Sequence, residues 1–81
     1  MFYFYILKCK DGSLYCGSTE DLKHREKLHN SGRGSKYVRS RGGGAMIYSE
    51  RFRSRHKALR RETEVKRWSR AKKIALAQMN E

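Results

Sequence analysis

The fold is decided by residues 2–18, which read FYFYILKCKDGSLYCGS. Residues 2–9 are largely aromatic or apolar on both alternating faces, as is typical of a central strand that is covered on both sides. The dipeptide Asp11-Gly12 favours a tight turn, and the segment from Leu14 to Ser18 then runs back beside the first strand. The chain is therefore predicted to open with an antiparallel β-hairpin.

The type of turn decides whether Tyr5 and Tyr15 share a face of the sheet. A two-residue turn at Asp11-Gly12 would place the two tyrosines on opposite faces, because side chains alternate with a period of two. A three-residue loop with Gly12 in the left-handed conformation and a bulge shifts the register by one residue. We predict the bulged loop, which places both tyrosines on one face.

A first helix is predicted from about Asp21 to His29, with Ser18 or Thr19 as its cap. The stretch from Gly32 to Gly44 follows, with five glycines and four basic residues. It lacks a core pattern and is predicted to be a flexible surface loop with a short ordered piece near Tyr37.

The second half of the chain predicts one strand and two helices. The strand begins at Ala45 and continues towards Phe52, and the hydroxyls of Ser54 and Ser69 are positioned to cap the two helices. These helices are predicted over Arg55–Trp68 and Arg70–Met79. The expected fold is thus α+β, a single domain over residues 1–81 with a small three-stranded antiparallel sheet flanked by helices in the order β-β-α-β-α-α.

The charge of the chain points to a polyanionic partner. Twenty Lys and Arg stand against eight Asp and Glu, which gives a net charge of +12. Eleven of the basic residues fall between Arg51 and Lys73, opposed there only by Glu62 and Glu64. Basic patches of this density bind the phosphates of nucleic acids and release their counterions, whereas the narrow apolar stripes of these helices do not suit a membrane surface.

The cysteines indicate a reducing compartment. Cys9 and Cys16 are the two cysteines of the chain. No signal peptide precedes the first strand, and no apolar run approaches the ~18 residues of a membrane span. We therefore expect a cytoplasmic protein with two free thiols, whose Cys and His spacing matches no usual zinc site.

Two charged residues fall on apolar helix faces and are candidates for chemistry. Glu62 lies between Leu59 and Val65 on the helical wheel, where its carboxylate needs a cation. That cation is either a neighbouring side chain such as Lys66 or Arg55, or a Mg²⁺ ion, which takes one or two carboxylates with water and phosphate.

Arg25 is placed in the same way, among leucines of the first helix. Its guanidinium either lies in solvent beyond an aliphatic stem or forms a fork that binds a phosphate. Tyr5 and Tyr15 would by themselves most often be core residues, and His29 a polar residue near a helix end.

Taken in order, these residues resemble the GIY-YIG nuclease superfamily, in particular its small single-domain bacterial branch. The resemblance rests on Tyr3-Phe4-Tyr5, the Asp11-Gly12 turn, Tyr15-Cys16-Gly17, Asp21-Leu22, Arg25, His29-Asn30 and the helix segment from Ala58 to Lys66. It covers nearly the whole chain, and the ordered set carries it rather than any one motif.

The resemblance implies a nuclease site made of Tyr5, Tyr15, Arg25, His29 and Glu62. Glu62 would hold a single divalent ion, Mg²⁺ or Mn²⁺, and Tyr5 would act as general base towards water. Tyr15 would orient the site, Arg25 would contact the scissile phosphate, and His29 matches a recurrent histidine. An unperturbed tyrosine has a pKa of ~10, so a nearby metal ion and Arg25 would be needed to favour its phenolate.

Two functions follow from these expectations. The first is a metal-dependent endonuclease that hydrolyses phosphodiester bonds in DNA, and the second is a non-catalytic nucleic-acid-binding protein that keeps the nuclease scaffold. DNA is favoured over RNA as the partner, no membrane is involved, and the oligomeric state is open. Nucleic acid is expected to contact the glycine-rich loop and the basic segment through Arg33, Lys36, Arg39, Arg41, Arg60, Arg61 and Lys66.

Overall fold

The hairpin strand of residues 2–9 is the central strand of the sheet, as its two apolar faces predict. The structure is a computed structural model that describes residues 1–79. Its elements are β1 Phe2–Cys9, β2 Leu14–Thr19, α1 Leu22–Asn30, α2 Lys36–Ser40, β3 Gly44–Phe52, α3 Arg55–Lys66 and α4 Arg70–Gln78. The strands are antiparallel in the order β2-β1-β3, and the predicted α+β fold is confirmed, with the five-residue α2 as an additional helix.

The core is divided between the two faces of the sheet. Phe4 and Ile6 on one face of β1 pack with Val65 of α3, and residues of β3 and α4 surround this cluster. Tyr5 and Leu7 on the other face pack with Val38 of α2. The alternation of β1 therefore places Tyr5 in the cluster that α1 and α2 cover.

Helix α1 begins one residue later than predicted, and its cap is different. The carboxylate of Asp21 accepts a hydrogen bond from the backbone N–H of His24, which makes Asp21 the N-cap. The prediction of Ser18 or Thr19 as the cap was wrong, because the Thr19 hydroxyl instead accepts the N–H of Asp21 at 3.2 Å. This small turn sets where α1 leaves the sheet.

Side chains of α1 satisfy the open edge of β3. The Glu26 carboxylate accepts the Met46 N–H at 2.6 Å. The side-chain amide of Asn30 both donates to the Gly44 carbonyl and accepts the Gly44 N–H, each at 2.9 Å. An edge strand otherwise exposes unpaired backbone groups, so these bonds close the edge and fix α1 beside it.

The glycine-rich stretch is more ordered than predicted. Residues 36–40 form α2, which Ser35 caps through its hydroxyl. Val38 is fully buried in the cluster with Tyr5, so the prediction of a flexible surface loop was wrong for this segment. A single apolar residue among charged ones gives no periodicity, which explains why the sequence does not reveal this contact.

Helices α3 and α4 begin as predicted, with Ser54 and Ser69 accepting backbone N–H groups at their N-termini. Helix α3 ends at Lys66, short of the predicted Trp68, and its neighbours in space are β1 and β2. In the part of the chain that the structure describes, no helix has the length and apolar character needed to cross a bilayer.

Candidate active site

The hairpin brings Tyr5 and Tyr15 to one face of the sheet, as the bulged loop predicts. Tyr5 pairs with Gly17, and Leu7 pairs with Tyr15, so the two tyrosines are diagonal neighbours. Their ring centroids are 6.4 Å apart. Gly12 has φ +88° at the turn, where other residues are strained. The turn residue thus fixes the register on which the site depends.

The Tyr5 hydroxyl is bonded to His29 inside the protein. Its oxygen lies 2.9 Å from His29 Nε2, and the two side chains are 1% and 2% exposed. On the other side of the ring, the Ser35 backbone N–H donates to Nδ1 at 3.3 Å. A backbone N–H can only donate, so neutral His29 carries its proton on Nε2. His29 therefore donates to the Tyr5 oxygen and does not accept the phenolic proton.

Two glycines allow this pair to form. A Cβ on Gly17 would lie 2.5 Å from the Tyr5 hydroxyl oxygen, and a Cβ on Gly34 would overlap the His29 ring, with 3.0 Å to Cε1. Neither position tolerates a side chain while the tyrosine and histidine stay in place. The glycine of Tyr15-Cys16-Gly17 is thus explained by the space that Tyr5 needs.

Arg25 of α1 and Glu62 of α3 act electrostatically on the Tyr5 phenol. Burial raises the pKa of Tyr5 well above its ordinary value, and Tyr15 raises it further, while Arg25 lowers it and Glu62 raises it. Burial also lowers the pKa of His29, with Arg25 adding to the effect, so the imidazole is neutral at neutral pH. In the free protein Tyr5 is therefore an un-ionised phenol in contact with a neutral histidine.

The two helices that carry these charges converge at the edge strand β2. A cleft of about 400 Å³ lies between the beginnings of α1 and α3 and is lined by Thr19 of β2, Arg25 of α1 and Ala58 of α3. Glu62 follows Ala58 by one helical turn, on the same side of α3. Tyr5 belongs to the core cluster on one face of the sheet and α3 packs on the other, yet the charge of Glu62 is close enough to raise the pKa of Tyr5.

Glu62 pairs with Lys66, which is one of the two partners that helical spacing predicts. The Lys66 Nζ atom lies 2.7 Å from Glu62 Oε2, and the side chains are 51% and 17% exposed. The pair raises the pKa of Lys66. Half-exposed ion pairs of this kind are weak, at ~0.5 kcal/mol, so the lysine is readily displaced by a stronger cation.

The donor set at Glu62 suits magnesium. Among residues 1–79, no cluster of three His, Cys, Asp or Glu side chains forms a complete metal cage. Mg²⁺ is usually bound by one or two carboxylates together with waters and substrate phosphates. A single partly buried carboxylate that faces a cation already fits such an ion, and it does not fit a metal that needs an all-protein cage.

Tyr37 and Arg41 extend the site outwards; the sequence predicted Arg41 as a nucleic-acid contact and gave Tyr37 no such role. The Tyr37 ring lies 5.8 Å from that of Tyr15, and the Arg41 guanidinium carbon lies 3.8 Å from the Tyr37 centroid. Arg41 also pairs with Asp11 of the hairpin turn at 3.4 Å. The aromatic row from Tyr5 to Tyr37 joins residues far apart in sequence, and the sequence predicted only that a short piece near Tyr37 is ordered.

Some of the predicted nucleic-acid contacts are exposed, and others are paired with carboxylates of the protein. Arg33, Lys36 and Arg39 are exposed on the α2 side of the molecule, and Arg60 is exposed on α3. Arg61 has 23% of its side chain exposed and is bonded to Glu50 and Glu64. These carboxylates, Glu50 above all, raise the pKa of Arg61. Arg61, like Lys66, is therefore committed to a carboxylate, while Arg60 is available.

The sequence of this chain is similar to that of a known protein family. The sequence model of the GIY-YIG catalytic domain matches residues 1–75. A UPF0213 protein of Bacillus pumilus is 49% identical over 71 residues, covering 88% of this chain and 72% of that protein. A UPF0213 protein of Staphylococcus saprophyticus is 47% identical over 74 residues, covering 91% and 90%. The solution NMR structure of a UPF0213 protein from Bacillus halodurans is 48% identical, covers 98% of this chain and 85% of its own, and has a TM-score of 0.61.

Proposed function

Because this chain belongs to the GIY-YIG catalytic domain family, we propose that it is an endonuclease that hydrolyses phosphodiester bonds in DNA to a 5′-phosphate and a 3′-hydroxyl. Family membership supports nuclease-like chemistry on nucleic acid, and the net charge of +12 suits a polyanionic substrate. The observation that carries the proposal is the buried hydrogen bond between Tyr5 and His29. The pKa of the Tyr5 phenol is lowered by Arg25 and raised by Glu62. A buried polar pair with opposite charges acting on it is typical of a functional site.

In this proposal Tyr5 is the general base towards the attacking water. Its resting pKa is too high for that role, so the phenolate must be stabilised when substrate binds. The Nε2–H of His29 donates to the phenolic oxygen in either protonation state of the tyrosine, and Arg25 adds positive charge. Both interactions are stronger with a phenolate than with a phenol, so they favour loss of the phenolic proton and leave a phenolate that can accept a proton from the attacking water.

The other site residues bind and orient. Arg25 forks onto the scissile phosphate, where two N–H groups stabilise charge as it develops. Tyr15 packs edge-on against His29 at 5.3 Å and keeps the imidazole in place. Glu62 would hold one Mg²⁺ or Mn²⁺ ion, which when bound polarises the phosphoryl oxygen and stabilises the leaving oxygen.

Substrate binding is assigned to the exposed basic residues. Arg33, Lys36 and Arg39 come after His29 in the chain and would contact the nucleic-acid backbone near the cleavage site. Arg41 stacks on the ring of Tyr37 at the outer end of the aromatic row. Phosphate contacts of this kind give affinity without reading sequence. We further propose that the 81 residues act as one domain and that the setting is cytoplasmic, where the buried thiols of Cys9 and Cys16 stay reduced.

The alternative is a nucleic-acid-binding protein without catalytic activity. One observation favours it: the carboxylate of Glu62 is already paired with Lys66, and that pair satisfies the charge without any metal ion. In that case the tyrosines and His29 are retained for packing alone.

Cleavage assays separate the two functions. Duplex, single-stranded, flap and junction DNA, together with RNA, would be incubated with Mg²⁺ or Mn²⁺ and wild type, Glu62→Gln or Glu64→Gln. Glu64→Gln is the matched control, since it removes a carboxylate from the same helix but from its exposed side. We expect metal-dependent cutting by wild type and the control and none by Glu62→Gln, which should still bind the substrates. Binding without cutting by any of the three would favour the alternative, and equal cutting by all three would reveal a contaminating nuclease.

A further inference from the structure

The outer face of α3 carries a groove that the catalytic residues do not use. Its volume is about 610 Å³, and it runs from His56 in the first turn of the helix to Trp68 beyond the last. Leu59 and Trp68 give it an apolar floor, and Leu59 is 41% exposed. Glu62 lies roughly a quarter turn of the helix away from Thr63, at ~100° per residue, so the groove faces a different direction from the catalytic carboxylate.

The cations along this groove are unpaired, whereas its carboxylate is not. Glu64 is bonded to Arg61, which leaves it neutralised. Among residues 1–79, neither Arg60 nor Arg67 takes part in an ion pair or a side-chain hydrogen bond. An exposed guanidinium without a partner can bind a phosphate and loses no internal contact in doing so.

Further positive charge surrounds the tryptophan. The guanidinium carbon of Arg61 lies 5.1 Å from the Trp68 ring centroid, and Lys72 Nζ lies 4.7 Å from it. The apolar end of the groove is therefore positive as well, which favours a polyanion over an apolar helix of another protein. Arg60 and Arg67 are seven residues apart, or about 10 Å along the helix at 1.5 Å per residue. That distance corresponds to the rise of about three base pairs along the axis of a duplex, at 3.4 Å each.

From the unpaired cations, their spacing and the apolar floor, we propose that this groove is a second nucleic-acid-binding site, which adjoins the cleft of Arg25 at Leu59 and contains none of the proposed catalytic residues. Arg60 and Arg67 hold backbone phosphates at its two ends, and the strand lies over Leu59 and Trp68. The site binds without cleaving and without a metal ion, so it anchors nucleic acid whether or not the nuclease proposal holds.

Trp68 is the one tryptophan of the chain and lines this groove, so its fluorescence reports binding there. A short blunt DNA duplex would be titrated into the protein without divalent metal, over a series of salt concentrations. We expect a saturable change in fluorescence, and the same change with Glu62→Gln. In the double variant Arg60→Gln/Arg67→Gln, affinity should fall and the slope of log K against log salt should decrease by about 1.8, since each lost phosphate contact removes ~0.9.

The matched control is Arg53→Gln/Lys57→Gln, which removes the same charge from two exposed residues that do not line the groove. Long-range attraction is equal in both double variants, so a difference between them measures the groove itself. Equal losses of affinity in the two variants, or binding without any change in fluorescence, would overturn the proposal. So would a fluorescence change on protein dilution without DNA, which would make a second copy the occupant, or equal competition by polyglutamate, which would make it an acidic polypeptide.

Discussion

Replacing Gly17 by alanine tests the tight contact on which the Tyr5–His29 pair depends. The new methyl carbon would lie 2.5 Å from the Tyr5 hydroxyl oxygen and 2.7 Å from Cζ. Tyr5 is 1% exposed, so its rigid ring has no free space into which it could retreat. To reach an ordinary contact the phenol must shift by about 1 Å, which breaks its 2.9 Å bond to His29.

The expected cost combines overpacking with the lost bond. Forcing a methyl into a filled core costs about 1–3 kcal/mol, and a buried polar group without its partner costs about 1–3 kcal/mol. Alanine in a strand regains ~0.5–1 kcal/mol relative to glycine. With each term at the middle of its range, the net loss of unfolding free energy is about 3 kcal/mol, or roughly 12–24 °C in melting temperature for a domain of this size.

Thermal and urea unfolding followed by circular dichroism would measure this cost against two references. In Gly12→Ala the new Cβ has no atom within 4 Å, so the only unfavourable effect is the φ of +88°. This substitution should therefore lower the unfolding free energy by about 1 kcal/mol. In a Tyr5→Phe background the nearest atom is gone, and Gly17→Ala should cost less than in wild type. A cost below 1 kcal/mol, or an equal cost in both backgrounds, would refute the reasoning.

The remaining predictions concern His29 and Arg61. Nitrogen-15 NMR should find the neutral His29 proton on Nε2, because Ser35 donates to Nδ1; a proton on Nδ1 would contradict the assigned direction of the Tyr5 bond. Since burial lowers the pKa of His29 in the folded state, the unfolded chain binds that proton more readily, and stability should fall as pH drops below ~6.5. This acid loss should be smaller in His29→Gln, and equal pH curves for both proteins would count against it. Arg61→Gln should lower the unfolding free energy by about 1–3 kcal/mol because Glu50 loses its bidentate partner, while the exposed Arg60→Gln should stay within ~0.5 kcal/mol in the same urea titration.

Local chemistry explains which parts of the fold could be predicted. The strand of residues 2–9, the left-handed Gly12 and the caps Ser54 and Ser69 each depend on neighbours within a few residues, and all four were confirmed. The pairing of Glu62 with Lys66 is of the same kind, since four residues along a helix bring two side chains together.

The contacts that were missed depend on segments distant in sequence. Val38 is buried only because α2 packs onto the sheet, and its neighbours in the chain give no sign of it. The cap of α1 was assigned to the wrong residue because Thr19 and Asp21 are both good caps, and the course of the preceding strand chooses between them. The proton position on His29 follows from Ser35, whose amide approaches the ring only in the folded chain.

The charges around Tyr5 determine its protonation state in the free protein and how that state can change. Burial and the neighbouring Tyr15 keep the phenol un-ionised in the free protein, while Glu62 contributes in the same direction. A divalent ion in place of Lys66 would bring more positive charge to Glu62, which would counter the effect of Glu62 on the pKa of Tyr5 and act in the same direction as Arg25. His29 cannot take the phenolic proton, because Ser35 occupies Nδ1 and Nε2 already carries a hydrogen. The proton of Tyr5 must therefore leave by another route, so ionisation of the tyrosine requires a proton acceptor other than His29.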